Sequence, residues 1–135
     1  MTTLRYLHDA GARTIILSHL GRPNGKVNLT YSLQPVYDYL KTLVRGHWFF
    51  ADCIGAPAVD LSRRLEDGDF GSFENVRFHP EEEADDRAFA RALAAAGDID
   101  VHAAFRTAHR AHASTAGIAA DLRSKTLTGV AVRER

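Results

Sequence analysis

Leu17-Ser18-His19-Leu20-Gly21-Arg22-Pro23-Asn24-Gly25 follows directly on Ile15 and Ile16. The apolar run shows no alternation, as expected for a strand covered on both faces. Gly21, Pro23 and Gly25 then break it sharply. This pattern predicts a buried strand, Thr14 to Ser18, that delivers an imidazole and a guanidinium to its carboxyl end. In open parallel sheets that edge is where ligands bind.

Working outward, the chain repeats the same unit. Residues 3–11 read as a helix, with Leu4, Leu7 and Ala10 on one face and Gly11 as its stop. Thr30 or Ser32 caps a helix that carries Pro35 in its first turn and Leu33, Val36, Leu40, Leu43 and Val44 at helical spacing. Trp48 to Ala51 is a second strand, ending at Asp52-Cys53. Pro57 opens a helix with Ala58, Leu61 and Leu65 inward. Phe70 to Phe78 is a third strand, a poor one because Gly71 and Ser72 weaken a buried strand. Glu81-Glu82-Glu83 with Asp85 and Asp86 reads as the solvated, dipole-complementing start of a helix carried by Phe89, Leu93 and Ala96. Ile99, Val101, Ala103 and Phe105 form a fourth strand. Ser114 or Thr115 caps a short helix with Ile118 and Leu122, and Leu127 to Val132 is a fifth strand. Strands alternating with helices predict βαβ units and an α/β fold with a mainly parallel sheet.

The length of 135 residues suits one domain. Seventeen basic residues balance seventeen acidic ones, which argues against general binding to nucleic acid or a membrane surface. The single cysteine, Cys53, excludes an internal disulfide and points to a reducing compartment. No signal-peptide core or membrane-spanning run is present, so a cytoplasmic protein is expected.

Against this neutral background, cationic side chains gather after different strands. His19 and Arg22 follow the first, Arg77 the third, and His109, Arg110 and His112 the fourth. Arginine suits the planar fork of a carboxylate or phosphate, so a small phosphorylated or carboxylated ligand is the expected guest. The helix near Ser114 would add backbone N–H donors. Each arginine has a duller reading as a solvated charge, and His19 as a satisfied, partly buried ring. A zinc reading of His102, His109 and His112 lacks any cysteine or carboxylate partner. Cys53 has no evident activating base and reads as a small buried residue. The Gly21–Gly25 loop lacks the ending of a P-loop.

Ser18-His19-Leu20-Gly21-Arg22-Pro23, Asp52-Cys53-Ile54-Gly55, Glu74-Asn75-Val76-Arg77-Phe78-His79-Pro80 and Ala108-His109-Arg110-Ala111-His112-Ala113-Ser114-Thr115 together resemble the N-terminal domain of phosphoglycerate kinase, over nearly the whole chain. The resemblance implies a Rossmann-like, doubly wound domain of three α/β/α layers, its opening strand missing, that binds 3-phosphoglycerate or 1,3-bisphosphoglycerate through His19, Arg22, Arg77 and Arg110. It implies phosphoryl transfer between 1,3-bisphosphoglycerate and ADP, with Mg-ATP/ADP held by a separate domain. No catalytic, cofactor-binding or metal-ligating residue is assigned here.

The chain also departs from the family pattern. The family's opening Arg-Val-Asp-Phe-Asn strand and its nucleotide domain are not among these 135 residues, which stop at Arg135, about where the resemblance expects the connection to that domain. The expectation is a single partial domain over residues 1–135, inactive alone. The family is usually monomeric, but neighbours of a missing central strand keep unpaired edges, which predicts self-association or low stability. His102-Ala103-Ala104-Phe105-Arg106 stands where the family has Asn-Asp-Ala-Phe-Gly. That change favours an alternative: a non-catalytic anion-binding remnant or interaction module.

Overall fold

The computed structural model describes residues 2–102, 111–121 and 126–128. Helix α1 (Thr2–Asp9) leads into β1 (Thr14–Ile16), then α2 (Gln34–Leu43), β2 (His47–Phe50), α3 (Ala56–Arg64) and β3 (Phe70–Phe73). Two short helices follow, α4 (Pro80–Glu83) and α5 (Arg87–Ala94), then β4 (Asp100–His102). A π-helical turn (Ala113–Gly117) runs into α6 (Ile118–Asp121), and β5 (Thr126–Thr128) comes last. The remainder of the expected fourth and fifth strands, including Ala103, Phe105 and Gly129 to Val132, lies outside the described residues.

The fold is α/β. β1 and β2 flank β3, and all three run parallel, with Thr14 and His47 both opposite Phe70. β4 and β5 form a separate parallel pair. Parallel pairing puts the carboxyl ends of β1, β2 and β3 on one edge, so the loops after them start side by side.

Strand alternation sorts the side chains onto two faces. Ile15, Leu17, Phe50 and Phe73 join Ala58 and Leu61 of α3, Phe89, Ala90 and Leu93 of α5, and Ile118 of α6 in the main core. On the other face, Tyr37 of α2 packs edge-on to His47 and tilted on Phe49, and His8 of α1 stacks on Phe70. Burial of the large side chains on both faces is the main stabilising term.

β3 overturns its reading as a poor strand. It is central and buried throughout, although it ends at Phe73 and gives way to a 3₁₀ turn at Val76–Phe78. Gly71 leaves the space that the Phe50 ring occupies, since a Cβ there would lie 2.7 Å from Phe50 Cε2. Ser72 meets His47 Nε2 through its hydroxyl at 2.7 Å. Gly71 and Ser72 are thus matched to neighbours from β2, a fit invisible in one strand read alone.

The acidic run also differs from its reading. Glu81 and Glu83 are exposed, but Glu82 is 1% exposed. The expected single helix is two, broken at Asp85, which has a positive φ of 53°. At α2, Ser32 rather than Thr30 serves the helix start, its Oγ accepting from Gln34 N–H at 3.1 Å.

Gly71→Ala should lower unfolding stability by about 1–3 kcal/mol through overpacking against Phe50. Denaturant melts of the chain measure this, and an unchanged midpoint would contradict the packing described.

Candidate functional site

The loop after β1 is shaped by two close approaches. At Gly21 (φ 63°) a Cβ would run into the Tyr31 ring, and at Gly25 (φ 69°) it would meet Pro80 Cα at 2.8 Å. Only glycine combines the left-handed backbone with that clearance. Pro23 between them is buried, while Arg22 is exposed.

Asn75, 1% exposed, holds this loop in place. Its side-chain amide donates to Leu20 O at 2.8 Å and Tyr31 O at 2.9 Å. Its Oδ1 accepts from Arg77 N–H at 3.0 Å, closing the turn that presents Arg77. Glu74 beside it is also buried. Its carboxylate accepts from Ser32 Oγ (2.6 Å), Leu33 N–H (2.7 Å) and Asn75 N–H (2.8 Å). Two adjacent polar residues thus tie the end of β3 to the loop after β1 and to the start of α2.

Arg77 Nη1 donates to Gly21 O at 3.0 Å, and its Nε lies 3.8 Å from Glu83 Oε1. The side chain is only 11% exposed, so the contact is stiffer than a surface ion pair. His19 is half-buried beside it. Desolvation holds the His19 pKa below 6.5, and the charges of Arg77 and His112 push it the same way, with Glu83 opposing. His19, Arg77 and His112 therefore lie close enough to interact, with Glu83 in the same corner and Arg22 next in sequence to the Gly21 carbonyl that Arg77 grips.

Glu82 organises the far side of that corner. Its carboxylate accepts from Ser114 N–H at 2.8 Å and Ser114 Oγ at 2.5 Å, and lies 3.7 Å from His112 Nδ1. The Ser114 N–H expected to face a ligand is therefore already taken by the chain's own carboxylate. His112, not Ser114 or Thr115, precedes the helical turn, and Thr115 Oγ1 accepts from His112 N–H at 3.2 Å. Removing one partner from a buried network of this kind typically costs about 1–3 kcal/mol.

His109, Arg110 and Arg106 lie outside the described residues. Cys53 belongs to the core, and burial pushes its thiol up to about 12, with the Asp52 charge adding to the effect. That agrees with the reading of Cys53 as a small buried residue. Asp52 instead pairs with His79. A hollow of about 370 Å3 lies elsewhere, between α5 and α6, lined by Asp85, Arg87, Arg91 and Asp121 among others. Sequence reasoning missed Glu82 and Asn75. For Asn75 the signal was its place at a strand end; for Glu82 there was none beyond a run of three identical residues.

The pKa values of His19 and His47 are both lowered, each chiefly by burial. The unfolded chain binds these protons more readily, so the stability the neutral rings contribute is complete above pH 6.5 and is lost as pH falls through the folded values. Melting midpoints should fall between pH 6.5 and about 5, before most carboxylates titrate. His47→Gln should flatten that slope; an unaltered slope would remove His47 from the account.

The family model for phosphoglycerate kinase matches residues 1–134. The chain is 49% identical over 119 residues to phosphoglycerate kinase of Borreliella afzelii (strain PKo), and 52% identical over 119 residues to that of Chlorobaculum tepidum. Each match covers 87% of this chain and 30% of the relative, so the chain spans under a third of the length of these curated relatives. Among solved structures, phosphoglycerate kinase from Coxiella burnetii superposes with a TM-score of 0.80 at 36% identity, covering 96% of this chain and 32% of that one. The enzyme from Pyrococcus horikoshii OT3 gives a TM-score of 0.77 at 29% identity, covering 94% and 32%. With a Rossmann-like parallel sheet, a glycine-shaped first loop and a family match over almost its full length, this chain belongs to the phosphoglycerate kinase family.

Proposed function

We propose that this chain carries part of the 3-phosphoglycerate site of a phosphoglycerate kinase, in a single partial domain. The observation that carries the reading is the corner shared by His19, Arg77 and His112, with Arg22 on the adjoining loop. Arg22 and Arg77 would take the phosphate and carboxylate of 3-phosphoglycerate or 1,3-bisphosphoglycerate, and the family resemblance adds Arg110, which lies outside the described residues, to the same set. His19, neutral when the site is empty, would gain a proton as a bound anion offsets the charges of Arg77 and His112.

Transfer of a phosphoryl group between 1,3-bisphosphoglycerate and ADP rests on positioning and electrostatic stabilisation. In this reading the described residues supply the positioning for one substrate. Mg-ATP or Mg-ADP would be held by parts of the kinase other than these 135 residues, which alone would not turn over. None of the helices described is long and apolar enough to cross a membrane, and the balanced charge gives no general affinity for nucleic acid. A cytoplasmic location follows from the same reading. Self-association belongs to the same reading, since neighbours of a missing family strand would keep unpaired edges.

Titrating the 135-residue chain with 3-phosphoglycerate should show saturable binding and an upward shift of the His19 ring titration by NMR. Arg77→Ala and Arg22→Ala should each weaken binding about 10–100-fold, the loss of one charge-assisted contact. A coupled assay should detect no ATP-dependent turnover by this chain; turnover would refute the predicted inactivity. Wild-type chain that folds but ignores the ligand would instead favour the decayed remnant suggested by the His102–Arg106 segment.

A further inference from the structure

We infer that Asp52, Cys53 and His79 form a binding site for a thiophilic divalent transition-metal ion of the zinc class. The three residues offer a carboxylate oxygen, a sulfur and an imidazole nitrogen, all within 4.8 Å of one another. They come from two separate loops. Asp52 and Cys53 follow β2, and His79 closes the 3₁₀ turn after β3. The parallel register that sets Phe50 opposite Phe73 is what brings these loops together.

The donors are oriented before any ion arrives. Cys53 N–H donates to Asp52 Oδ1 at 2.7 Å, holding the carboxylate beside the thiol. His79 Nε2 lies 2.8 Å from the same oxygen, and its ring packs on Phe89 with centroids 5.1 Å apart. A metal ion would take the place of the proton that Asp52 and His79 share. Around tetrahedral zinc, donors sit roughly 3.3–3.8 Å apart. The Asp52 and His79 side chains are 56% and 26% exposed, so they have room to close the remaining distance while Cys53 stays fixed in the core.

Mixed nitrogen, sulfur and oxygen donors match zinc, cobalt or nickel, whereas magnesium prefers an all-oxygen shell. As the sulfur–metal bond forms, the thiol proton leaves to solvent, and the thiolate and carboxylate together balance the two charges of the ion. Three protein donors leave a fourth position for water on the solvent side. Bound metal would cross-link the loops after β2 and β3, two residues from Arg77. The site uses none of the residues assigned to the phosphorylated substrate and stands independently of that assignment.

The test is titration of the reduced 135-residue chain with Co2+. One equivalent should produce a thiolate-to-cobalt charge-transfer band with the visible bands of a four-coordinate ion, and Zn2+ should bleach both. Cys53→Ser should abolish the charge-transfer band, while His79→Gln and Asp52→Asn should each weaken Co2+ binding about 10-fold or more. In the wild-type chain, one equivalent of Zn2+ should shift the His79 ring resonances, a measurement that needs no variant to fold. Absence of the band in wild type, its persistence in folded Cys53→Ser, indifference to both other substitutions, or unmoved His79 resonances would each overturn the site.

Discussion

The Asn75 side chain is the constraint on which the arrangement depends. A parallel sheet brings strand ends together but leaves the loops beyond them free to diverge. Asn75 closes that freedom by donating to Leu20 O and Tyr31 O, while its own carbonyl oxygen sets the turn that carries Arg77. Buried at the end of the central strand, it has no water to fall back on, so each of these bonds is costly to leave unmade. Arg77 and His19 meet because one amide spans the loops on which they sit.

The electrostatics of the corner follow from that placement. Arg77 is mostly buried, and among the described residues its side chain meets a carbonyl and a carboxylate 3.8 Å away. His19 responds by staying neutral, since a further positive charge would be both desolvated and repelled. Glu82, by contrast, is satisfied within the protein through Ser114. The region thus joins Arg77, held by Gly21 O and near Glu83, to an acidic side committed to structure through Ser114.

Much of this was legible in the sequence. The alternation of apolar runs and helical spacing gave the α/β order, and the glycine- and proline-broken stretch after Leu17 marked the loop that the sheet edge presents. What was not legible depended on pairs of residues distant in sequence. Gly71 and Ser72 looked like flaws until the side chains of Phe50 and His47, each two positions along β2 from their direct register partners, met them. Glu82 was indistinguishable from Glu81 and Glu83 because its burial depends on where the Ala113–Gly117 turn docks. Sequence periodicity reports which face of an element is apolar, not which polar side chain will find a partner inside.

Helix α4 gives this arrangement a mechanical character. Its first residue, Pro80, is the surface on which Gly25 rests without clearance, and two residues on, Glu82 grips Ser114. Four residues therefore gear the tip of the first loop to the segment holding His112. A displacement of this one turn would be felt at both ends at once, so the two loops cannot shift independently of each other.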